Sequence, residues 1–461
     1  MSKPQGATLY EAAEKIYPRE IGGRFDRLSR IATITLLGLF YAVPWLPWDE
    51  RQAVLFDLPA RKFYIFALTL WPQDFPYLAL LLMILAYCLF FFTAIGGRLW
   101  CGFACPQTVW TEIFIWMEQF TEGTRSQRMK LDKAPWGWNK FRRKFSKQFL
   151  WVTFSLWTGF TFVGYFTPIR ELGADIIAFN VGGWTLFWGL FYGFATYGNA
   201  GYMREQVCTY MCPYARFQSA MFDPDTLVIT YDADRGEPRG SRSRRIDPGA
   251  AGLGHCVDCA LCVHVCPTGI DIRDGLQYQC IGCAACVDVC DSVMDRMGYP
   301  RGLIRYSTEY ALLHGLSSRD IVRRALRPRT LVYLSILLAI IAAFVVALVL
   351  RTPLKVDIIR DRASLARIVE DGRIENVYRF QIMNATERVA RYTVRAEGLP
   401  GIALASNPIV AVPAAQSRML AVRVQVPPDA AGPGSHVVSF EIVDTEQGHR
   451  VVEHTKFLMP R

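Results

Sequence analysis

Eight cysteines in one short stretch carry the clearest chemistry in this sequence. Residues 256–290 read CVDCALCVHVCPTGIDIRDGLQYQCIGCAACVDVC, which is two copies of C-x2-C-x2-C-x3-C. A cubane iron–sulfur cluster takes four thiolates, and in this tandem arrangement three come from one run and the fourth from the far end of the other. The spacing therefore predicts two sites. The first cluster set is Cys256, Cys259, Cys262 and Cys290, and the second cluster set is Cys280, Cys283, Cys286 and Cys266.

The two runs form a module of the bacterial two-cluster ferredoxin type, with Pro267 directly after the first run as that type requires. The second run ends in Cys290–Asp291 and lacks this proline, which leaves the ligand count intact. Zinc is the alternative, since C-x2-C pairs also bind zinc. Eight cysteines with the x2-x2-x3 spacing favour the clusters.

Two further cysteine pairs share a second pattern, C-x3-C-P. One is WCGFACPQTVW, with Cys101 and Cys105, and the other is EQVCTYMCPYARF, with Cys208 and Cys212. If each segment is helical, cysteines at i and i+4 share a face and chelate one ion. Thiolates are soft donors that favour Cu(I), so we expect a copper site at these four cysteines. We call them the membrane-face set, because the topology predicted below places both pairs at the membrane surface. Packing cysteines, ligands of a further iron–sulfur cluster and redox-active thiols remain alternatives.

Composition places these motifs in a membrane protein. The chain has 461 residues, is 52% hydrophobic and has a mean hydropathy of +0.17. All 13 cysteines lie between Cys88 and Cys290 in short repeated spacings, which favours metal ligation in a reducing compartment over a secreted disulfide framework. The net charge of +10 is explained by basic cytoplasmic loops, so nucleic acid is not an expected partner.

A membrane-spanning helix needs roughly 20 mainly apolar residues. Five segments meet this requirement and are predicted to span the bilayer. They are Ile31–Trp48, Tyr77–Ile95, Phe149–Pro168, Trp184–Tyr202 and Leu331–Leu350. Phe63–Trp71 is too short to span and is expected to be an interfacial or re-entrant piece.

Basic residues set the predicted orientation, because Lys and Arg accumulate on the cytoplasmic side. The N-terminal segment 1–30 is basic, and so is the loop after the second span. That loop holds Arg98, Arg125, Arg128, Lys130, Lys133, Lys140, Arg142, Arg143, Lys144 and Lys147. Residues 204–329, which carry the ferredoxin module, are then cytoplasmic, and the tail after residue 350 is outside.

The tail shows the alternation of β-strands. Runs such as RYTVRAE and RMLAVRVQV are separated by Pro, Gly, Asn and Asp, which predicts an all-β sandwich over residues 351–461. The predicted architecture is an α-helical transmembrane bundle of about five spans. It comprises a four-span membrane domain (31–203), an inserted α+β ferredoxin module (204–329), a fifth helix (330–350) and an all-β sandwich domain (351–461).

The whole pattern resembles the cytochrome c oxidase accessory protein family CcoG, also called FixG or RdxA. The resemblance rests on the paired C-x3-C-P motifs, the ferredoxin pair, the last span and the β tail, and covers nearly all of the chain. It implies a multi-pass protein of the bacterial inner membrane with a periplasmic immunoglobulin-like tail. It further implies reduction of Cu(II) to Cu(I) for assembly of cbb3-type cytochrome c oxidase. Part of the pattern is also similar to NapH and NosR.

The leading hypothesis is a cupric reductase in which electrons from a cytoplasmic or membrane donor reach Cu(II) held by Cys101, Cys105, Cys208 and Cys212. Expected partners are a copper-exporting ATPase and cbb3 oxidase assembly factors. One alternative is a quinol dehydrogenase-type electron-transfer protein, and another is a copper-binding assembly scaffold. The sequence leaves open the electron donor and the oligomeric state, including a homo-oligomer.

Overall fold

The computed structural model describes residues 15–49, 51–361, 366–369 and 371–460. The first fourteen residues of the predicted N-terminal segment and Glu50 therefore lie outside the described residues. The chain forms two compact units. The helical unit comprises Met1–Leu46 and Leu80–Ile341, and the β unit comprises Pro47–Ala79 and Ala342–Arg461.

Helices dominate the first two thirds of the chain. Those from the N-terminus to the second cysteine pair are α1 (Arg24–Ala42), α2 (Phe75–Gly96), α3 (Leu99–Phe103), α4 (Pro106–Glu122), α5 (Arg125–Lys133), α6 (Trp138–Val163), α7 (Ile169–Ile177) and α8 (Gly183–Thr196). Two π-helical segments, Tyr197–Met203 and Val207–Met211, follow α8. The later helices are α9 (Pro213–Met221), α10 (Ala233–Gly236), α11 (Leu261–His264), α12 (Ala285–Met297), α13 (Glu309–Leu313), α14 (Ser318–Arg324) and α15 (Pro328–Val349).

Strands lie in three regions of the chain. The early ones are β1 (Pro47–Trp48), β2 (Arg51–Gln52), β3 (Val54–Asp57), β4 (Lys62–Ile65) and β5 (Leu68–Leu70). A pair in the ferredoxin region is β6 (Val228–Tyr231) with β7 (Ile304–Ser307). The tail holds β8 (Leu354–Arg360), β9 (Arg367–Ile368), β10 (Ile374–Asn384), β11 (Ala390–Glu397), β12 (Ala403–Leu404), β13 (Ile409–Val412), β14 (Ser417–Val426), β15 (Gly434–Asp444) and β16 (Arg450–Met459).

The tail forms two antiparallel sheets around one apolar core. One sheet has the order β12-β14-β10-β8, with β9 paired to β10, and the other has the order β13-β11-β15-β16. Alternate residues of the long strands point inward, as the period of two requires. Phe380, Val424, Phe440 and Phe457 are fully buried in this core. The sandwich predicted from the alternating pattern is therefore present.

The prediction that Phe63–Trp71 is a re-entrant piece was wrong, and its interfacial alternative stays a prediction. These residues form β4 and β5 of a three-stranded antiparallel sheet within the β unit. Trp71 is buried against Met383 and Ala385 of the tail. Nearby, the buried carboxylate of Asp74 accepts hydrogen bonds from Arg351, at 2.7 Å, and from Lys355. A short apolar run was mistaken for a lipid-facing piece because its burial comes from a distant part of the chain.

Within the part of the chain that the structure describes, three helices are long and apolar enough to cross a membrane. They are Arg24–Trp45, Pro72–Gly96 and Pro328–Val349. The predicted spans Phe149–Pro168 and Trp184–Tyr202 coincide with most of α6 and with α8 plus its π-helical extension. The count of five spans stays a prediction.

The ferredoxin region has its own small core. Ile229 and Ile304 of the β6–β7 pair pack with Ile272, Val287 and Met294 around the cysteine runs. The two β-strands flank the runs in the sequence, so their pairing closes the region into one module. This packing surrounds the thiols with apolar side chains.

Candidate iron–sulfur and membrane-face cysteine sites

The first cluster set surrounds one small cavity. Cys256, Cys259, Cys262 and Cys290 all line it, together with apolar side chains such as Leu303 and Ile304. Cys290 comes from α12 in the second run, whereas the other three belong to the first run. The fold thus brings together the four cysteines that the spacing paired across the two runs.

The second cluster set surrounds another cavity. Its wall contains Cys266, Cys280, Cys283 and Cys286, with Cys262 of the first set at its edge. Cys266 ends the first run, so the exchange of the fourth ligand between runs holds in both directions. The shared Cys262 shows that the two cavities are neighbours.

The backbone repeats the same conformation in both runs. Asp258 and Ala260 have φ values of 52°, and the corresponding Gly282 and Ala284 have φ values of 72° and 58°. Residues with a Cβ seldom adopt this left-handed region, so finding it at matching positions indicates a shape imposed by the site. Such turns direct successive backbone amides toward one point, where they would donate to the sulfurs of a bound cluster. Ala284 was not anticipated from the sequence.

Burial controls the protonation of these thiols. It raises the pKa of Cys262 to about 11 and that of Cys290 to about 12, and it also raises the pKa of Cys280, Cys283 and Cys286. A buried thiolate therefore needs a cation nearby, and binding of a metal group releases protons. Two groups of four cysteines, each around its own apolar-walled cavity, fit two cubane clusters.

The membrane-face set is built from helix ends. Cys101 lies in α3, and Cys105 is the residue before α4, whose first residue is Pro106. Cys208 lies in the second π-helical segment, and Cys212 precedes α9 in the same way. Cys105 and Cys212 both have extended backbones. Neither pair therefore lies on one continuous helix, because the proline starts a new helix after the second cysteine, and the helical condition for a shared face is not met.

The four membrane-face cysteines nevertheless converge. Thiolate charges at Cys101, Cys105 and Cys212 would each raise the pKa of Cys208, and those at Cys105 and Cys212 would raise the pKa of Cys101. The four thiols are therefore near one another. Burial is the main cause that raises the pKa of Cys101 to about 11 and of Cys208 to about 12. Among the residues that the structure describes, no three Cys, His, Asp or Glu side chains are close enough to hold one metal ion. The four cysteines therefore lie near one another, but they do not form a preformed site for a single metal ion.

The membrane-face set touches the second cluster set through two glycines. A Cβ placed on Gly102, next to Cys101, would lie 2.7 Å from the carbonyl oxygen of Gly282 and 3.0 Å from the backbone nitrogen of Cys283. No side chain larger than hydrogen fits between these backbones. On the other pair, the Tyr278 hydroxyl donates to the carbonyl oxygen of Thr209, next to Cys208. Both C-x3-C-P segments therefore contact the loop that carries Cys280 and Cys283.

Arg98 is a functional candidate that the sequence reasoning missed. It was counted among the topology-determining cations, but it is only 8% exposed. Its guanidinium donates to the carbonyl oxygens of Cys280 and Ala215, both at 2.9 Å, and of Tyr278. Its charge favours the thiolate forms of Cys101, Cys208 and Cys280 and so offsets part of the effect of their burial. One buried cation thus serves both cysteine groups.

A buried ion network holds the segment before Cys208. Arg204, which has a φ of 38°, separates the two π-helical segments and donates to Glu118 at 2.8 Å. Glu118 is fully buried and also pairs with Arg128, which is fully buried as well. The network attaches the Cys208 segment to α4 and α5. π-Helical turns of this kind occur frequently at functional sites.

Comparison with known families recovers each of these regions. A 4Fe-4S dicluster domain model matches residues 203–309, and a 4Fe-4S binding domain model matches residues 78–126. The model described as the IG-like fold at the C-terminus of FixG matches residues 344–460. The protein RdxB of Cereibacter sphaeroides is 37% identical over 98% of both chains. The chain belongs to the FixG/RdxA family.

A second relative and one solved structure are also similar to parts of this chain. The nitrogen fixation protein FixG of Rhizobium meliloti is 37% identical over 85% of this chain and 81% of its own length. A crystal structure of a FixG-related protein from Vibrio parahaemolyticus covers 23% of this chain and 97% of its own, with 21% identity and a TM-score of 0.22. As a FixG/RdxA protein, the chain is a membrane-associated iron–sulfur redox protein with two 4Fe-4S clusters and a C-terminal immunoglobulin-like domain. Those parts of the sequence prediction are confirmed.

Proposed function

We propose that this protein is a membrane-bound cupric reductase that converts Cu(II) to Cu(I). The observation that carries the proposal is the contact between Gly102 and Gly282, which sets Cys101 directly beside the loop of Cys280 and Cys283. When bound, the two clusters would supply single electrons. A one-electron substrate at the membrane-face set suits that supply.

Copper is the substrate that the donor set favours. Thiolates are soft ligands that stabilise Cu(I) over Cu(II), so a thiolate site makes bound Cu(II) easier to reduce. The reaction adds one electron to each copper ion and breaks no covalent bond. Because Cu(I) is commonly held by only two thiolates, four gathered cysteines offer one pair to the incoming ion and a second pair for its transfer.

The residues around the set prepare it for a cation. Burial disfavours free thiolates at Cys101 and Cys208, and a bound copper ion removes that penalty. Arg98 supplies part of the same stabilisation before copper arrives. Gln218, which is fully buried, lies 3.5 Å from the Cys101 sulfur and accepts its S–H hydrogen bond. The chain thus keeps these thiols protonated and inert until a soft cation enters.

The proposed setting is the bacterial inner membrane, crossed five times. Three spans are the helices already described, and α6 with α8 would add two more. These two helices pack through glycines, since a Cβ on Gly159 would clash with the Gly189 carbonyl oxygen. Such small-residue contacts are typical of helices in lipid. The outer surface of α8 exposes Trp184, Phe187 and Phe194, as a lipid-facing helix would.

One structural feature supports the proposed topology, although the orientation itself rests on the basic loops. The β unit contains both the segment Pro47–Ala79 and the tail, which would put these two parts on the same side of the membrane. An even number of crossings would then separate them. Four crossings, by α2, α6, α8 and α15, meet this condition. The tail would be periplasmic and the cysteine sites cytoplasmic.

The proposed partners follow from the product. Cu(I) released at the cytoplasmic face needs a copper-exporting ATPase to cross the membrane. Assembly factors of cbb3-type cytochrome c oxidase would then receive the exported ion. The periplasmic immunoglobulin-like domain is the part of the chain that would meet them.

The test replaces the membrane-face set and leaves the cluster sets intact. In the purified holoprotein reduced with dithionite, excess reductant is removed and Cu(II) reduction is followed with a Cu(I)-specific chelator. We expect the fourfold Cys→Ser variant of Cys101, Cys105, Cys208 and Cys212 to lose copper reduction. Its iron content and cluster EPR signals should be unchanged. Cys88→Ser is the matched control, because Cys88 lies in α2 outside all three cysteine sets.

Three other outcomes would contradict the site assignment or favour another role for the membrane-face set. Retained copper reduction would contradict the site assignment. Loss of about four irons per chain would instead mean that the membrane-face set holds a further cluster. Copper that binds to the wild-type protein and is never reduced would favour an assembly scaffold.

A further inference from the structure

A cavity of about 190 Å³ lies between the two cysteine regions and belongs to neither. Its wall includes Cys208 of the membrane-face set and Cys283 of the second cluster set. The rest of the wall comes from the start of α1 and the chain just before it, from α4 and Gly102, from Arg204 and Glu205, and from neutral residues of the ferredoxin module. The cavity thus lies at the start of a helix that is long and apolar enough to cross a membrane, which is where a lipid-soluble molecule would approach it.

The lining combines apolar and polar side chains. Phe25, Ile115 and Trp116 present apolar surface, and Gln107 and Thr111 present hydrogen-bonding groups. A few placed polar groups in an apolar pocket are the usual features of a small-molecule site. This lining fits a flat aromatic ring with oxygen atoms at its edge.

Glu112 is one of the four carboxylates that line this cavity, with Glu20, Asp26 and Glu205, and the proposed copper chemistry does not use it. It lies on α4, and its Oε2 accepts hydrogen bonds from Ser29, at 2.7 Å, and from Thr33, at 3.0 Å. Both donors belong to α1. The two hydroxyls fix the position of the carboxylate at the cavity wall. A fixed, half-buried carboxylate is suited to accept a proton from a bound molecule.

We propose that this cavity binds the headgroup of a membrane hydroquinone and that Glu112 accepts a proton from it. Oxidation of the hydroquinone to the quinone breaks two O–H bonds and releases two electrons and two protons. The electrons would leave one at a time to the iron–sulfur clusters that the neighbouring cysteines would hold. One proton passes to the Glu112 carboxylate and the other to water. The inference rests on the proposed function in that the hydroquinone supplies the electrons for copper.

The charges around Glu112 set the direction of the pH dependence. Asp26 and Arg30 face it from α1, Arg19 and Glu20 line the cavity before α1, and Arg204 and Glu205 line it from the Cys208 side. The ferredoxin module contributes only neutral residues and Cys283 to this wall. Burial raises the pKa of Glu112, although the hydroxyls of Ser29 and Thr33 offset part of that effect. The ionised, proton-accepting form therefore becomes dominant at a higher pH than for an ordinary glutamate.

Binding is tested without reference to turnover. The detergent-solubilised holoprotein is photolabelled with an azido-ubiquinone, and the labelled peptides are mapped by mass spectrometry. We expect labels on α1 or α4 near Ser29 and Thr111, with protection by excess decylubiquinone. Thr111→Phe, which fills the cavity, should abolish the label while keeping the iron content of the wild type.

Electron entry is tested with decylubiquinol as the donor and cluster absorbance as the readout. Glu112→Gln keeps the shape of the side chain, so it should still be photolabelled. Its rate of cluster reduction should fall on the order of 10²-fold, and the rise of that rate with pH should disappear. Glu171→Gln, at an exposed position of α7, is the control and should behave like the wild type.

Two results would overturn the inference by themselves, and a third would do so while sparing the cupric reductase proposal. One is the absence of protectable labelling on α1 and α4, and the other is a Glu112→Gln rate equal to that of the wild type at every pH. Copper reduction by dithionite-reduced protein bypasses the cavity. Its success together with failure of decylubiquinol would reject the hydroquinone site and leave the cupric reductase proposal standing.

Discussion

Gly102 and Gly282 meet backbone to backbone, with 2.7 Å between an ideal Cβ on Gly102 and the carbonyl oxygen of Gly282. Gly282 also needs its own left-handed φ of 72°. One residue follows a membrane-face cysteine, and the other lies between two cysteines of the second cluster set. This contact joins the two cysteine regions, and it can be tested directly.

Gly102→Ala should separate the two cysteine regions. The added methyl group meets rigid backbone and not a flexible side chain, so the strands of chain must move apart at a cost of about 1–3 kcal/mol. We expect slower electron transfer from dithionite-reduced clusters to Cu(II), measured by stopped-flow absorbance, with full iron content. Gly173→Ala is the control, because a Cβ on Gly173 meets nothing within 4 Å. Equal rates in all three proteins would show that the contact is not on the electron path.

Arg98→Met should make the membrane-face thiols harder to ionise. Burial raises the pKa of Cys101 and of Cys208, and the Arg98 charge lowers it in part, so its removal raises the pKa further. Alkylation of the metal-free protein by iodoacetamide should therefore need a higher pH at Cys101. Arg98→Lys keeps the charge and should restore most of the effect. Arg323→Met, an exposed change on α14, should leave the alkylation profile unmoved.

Cys266 is expected to ligate the cluster of the other run, so its substitution should remove the same cluster as substitution of Cys283. Cys266 belongs to the first run but lines the cavity of Cys280 and Cys283. Cys266→Ser and Cys283→Ser should each lose about four irons, and the double variant should lose no more. Adding Cys256→Ser to Cys266→Ser should remove about eight. Iron analysis with EPR checks this, and additive loss for Cys266 with Cys283 would refute the pairing.

The Asp132 carboxylate should make the free energy of unfolding decrease in acid. Burial alone would raise its pKa, but hydrogen bonds from Lys144, Lys15 and Tyr17 outweigh burial and lower the pKa below its usual value. A carboxylate with a lowered folded-state pKa stabilises the fold above its unfolded pKa of about 4, and this contribution is lost as pH falls below that value. Thermal unfolding between pH 6 and 3 should show a smaller decline for Asp132→Asn than for the wild type. Equal declines in the two proteins would mean that Asp132 does not contribute to the pH dependence of stability.

The sequence by itself determined the chemistry that depends on spacing along the chain. The two C-x2-C-x2-C-x3-C runs were enough to predict two clusters, and strand alternation was enough to predict the all-β sandwich of the tail. Such local patterns survive folding because neighbouring residues stay neighbours. The long apolar runs likewise indicated the three helices that are able to cross a membrane.

Tertiary structure alone decided which distant residues meet. Nothing in the sequence distinguishes Arg98 from the nine other cations of its loop, yet its side chain is buried between two cysteine groups. Gly102 and Gly282 look like any glycines until their backbones touch. Phe63–Trp71 was misread for the same reason, since its burial depends on a tail some three hundred residues away along the chain. Burial and long-range contact come from the packing of the whole fold, and no local spacing records them.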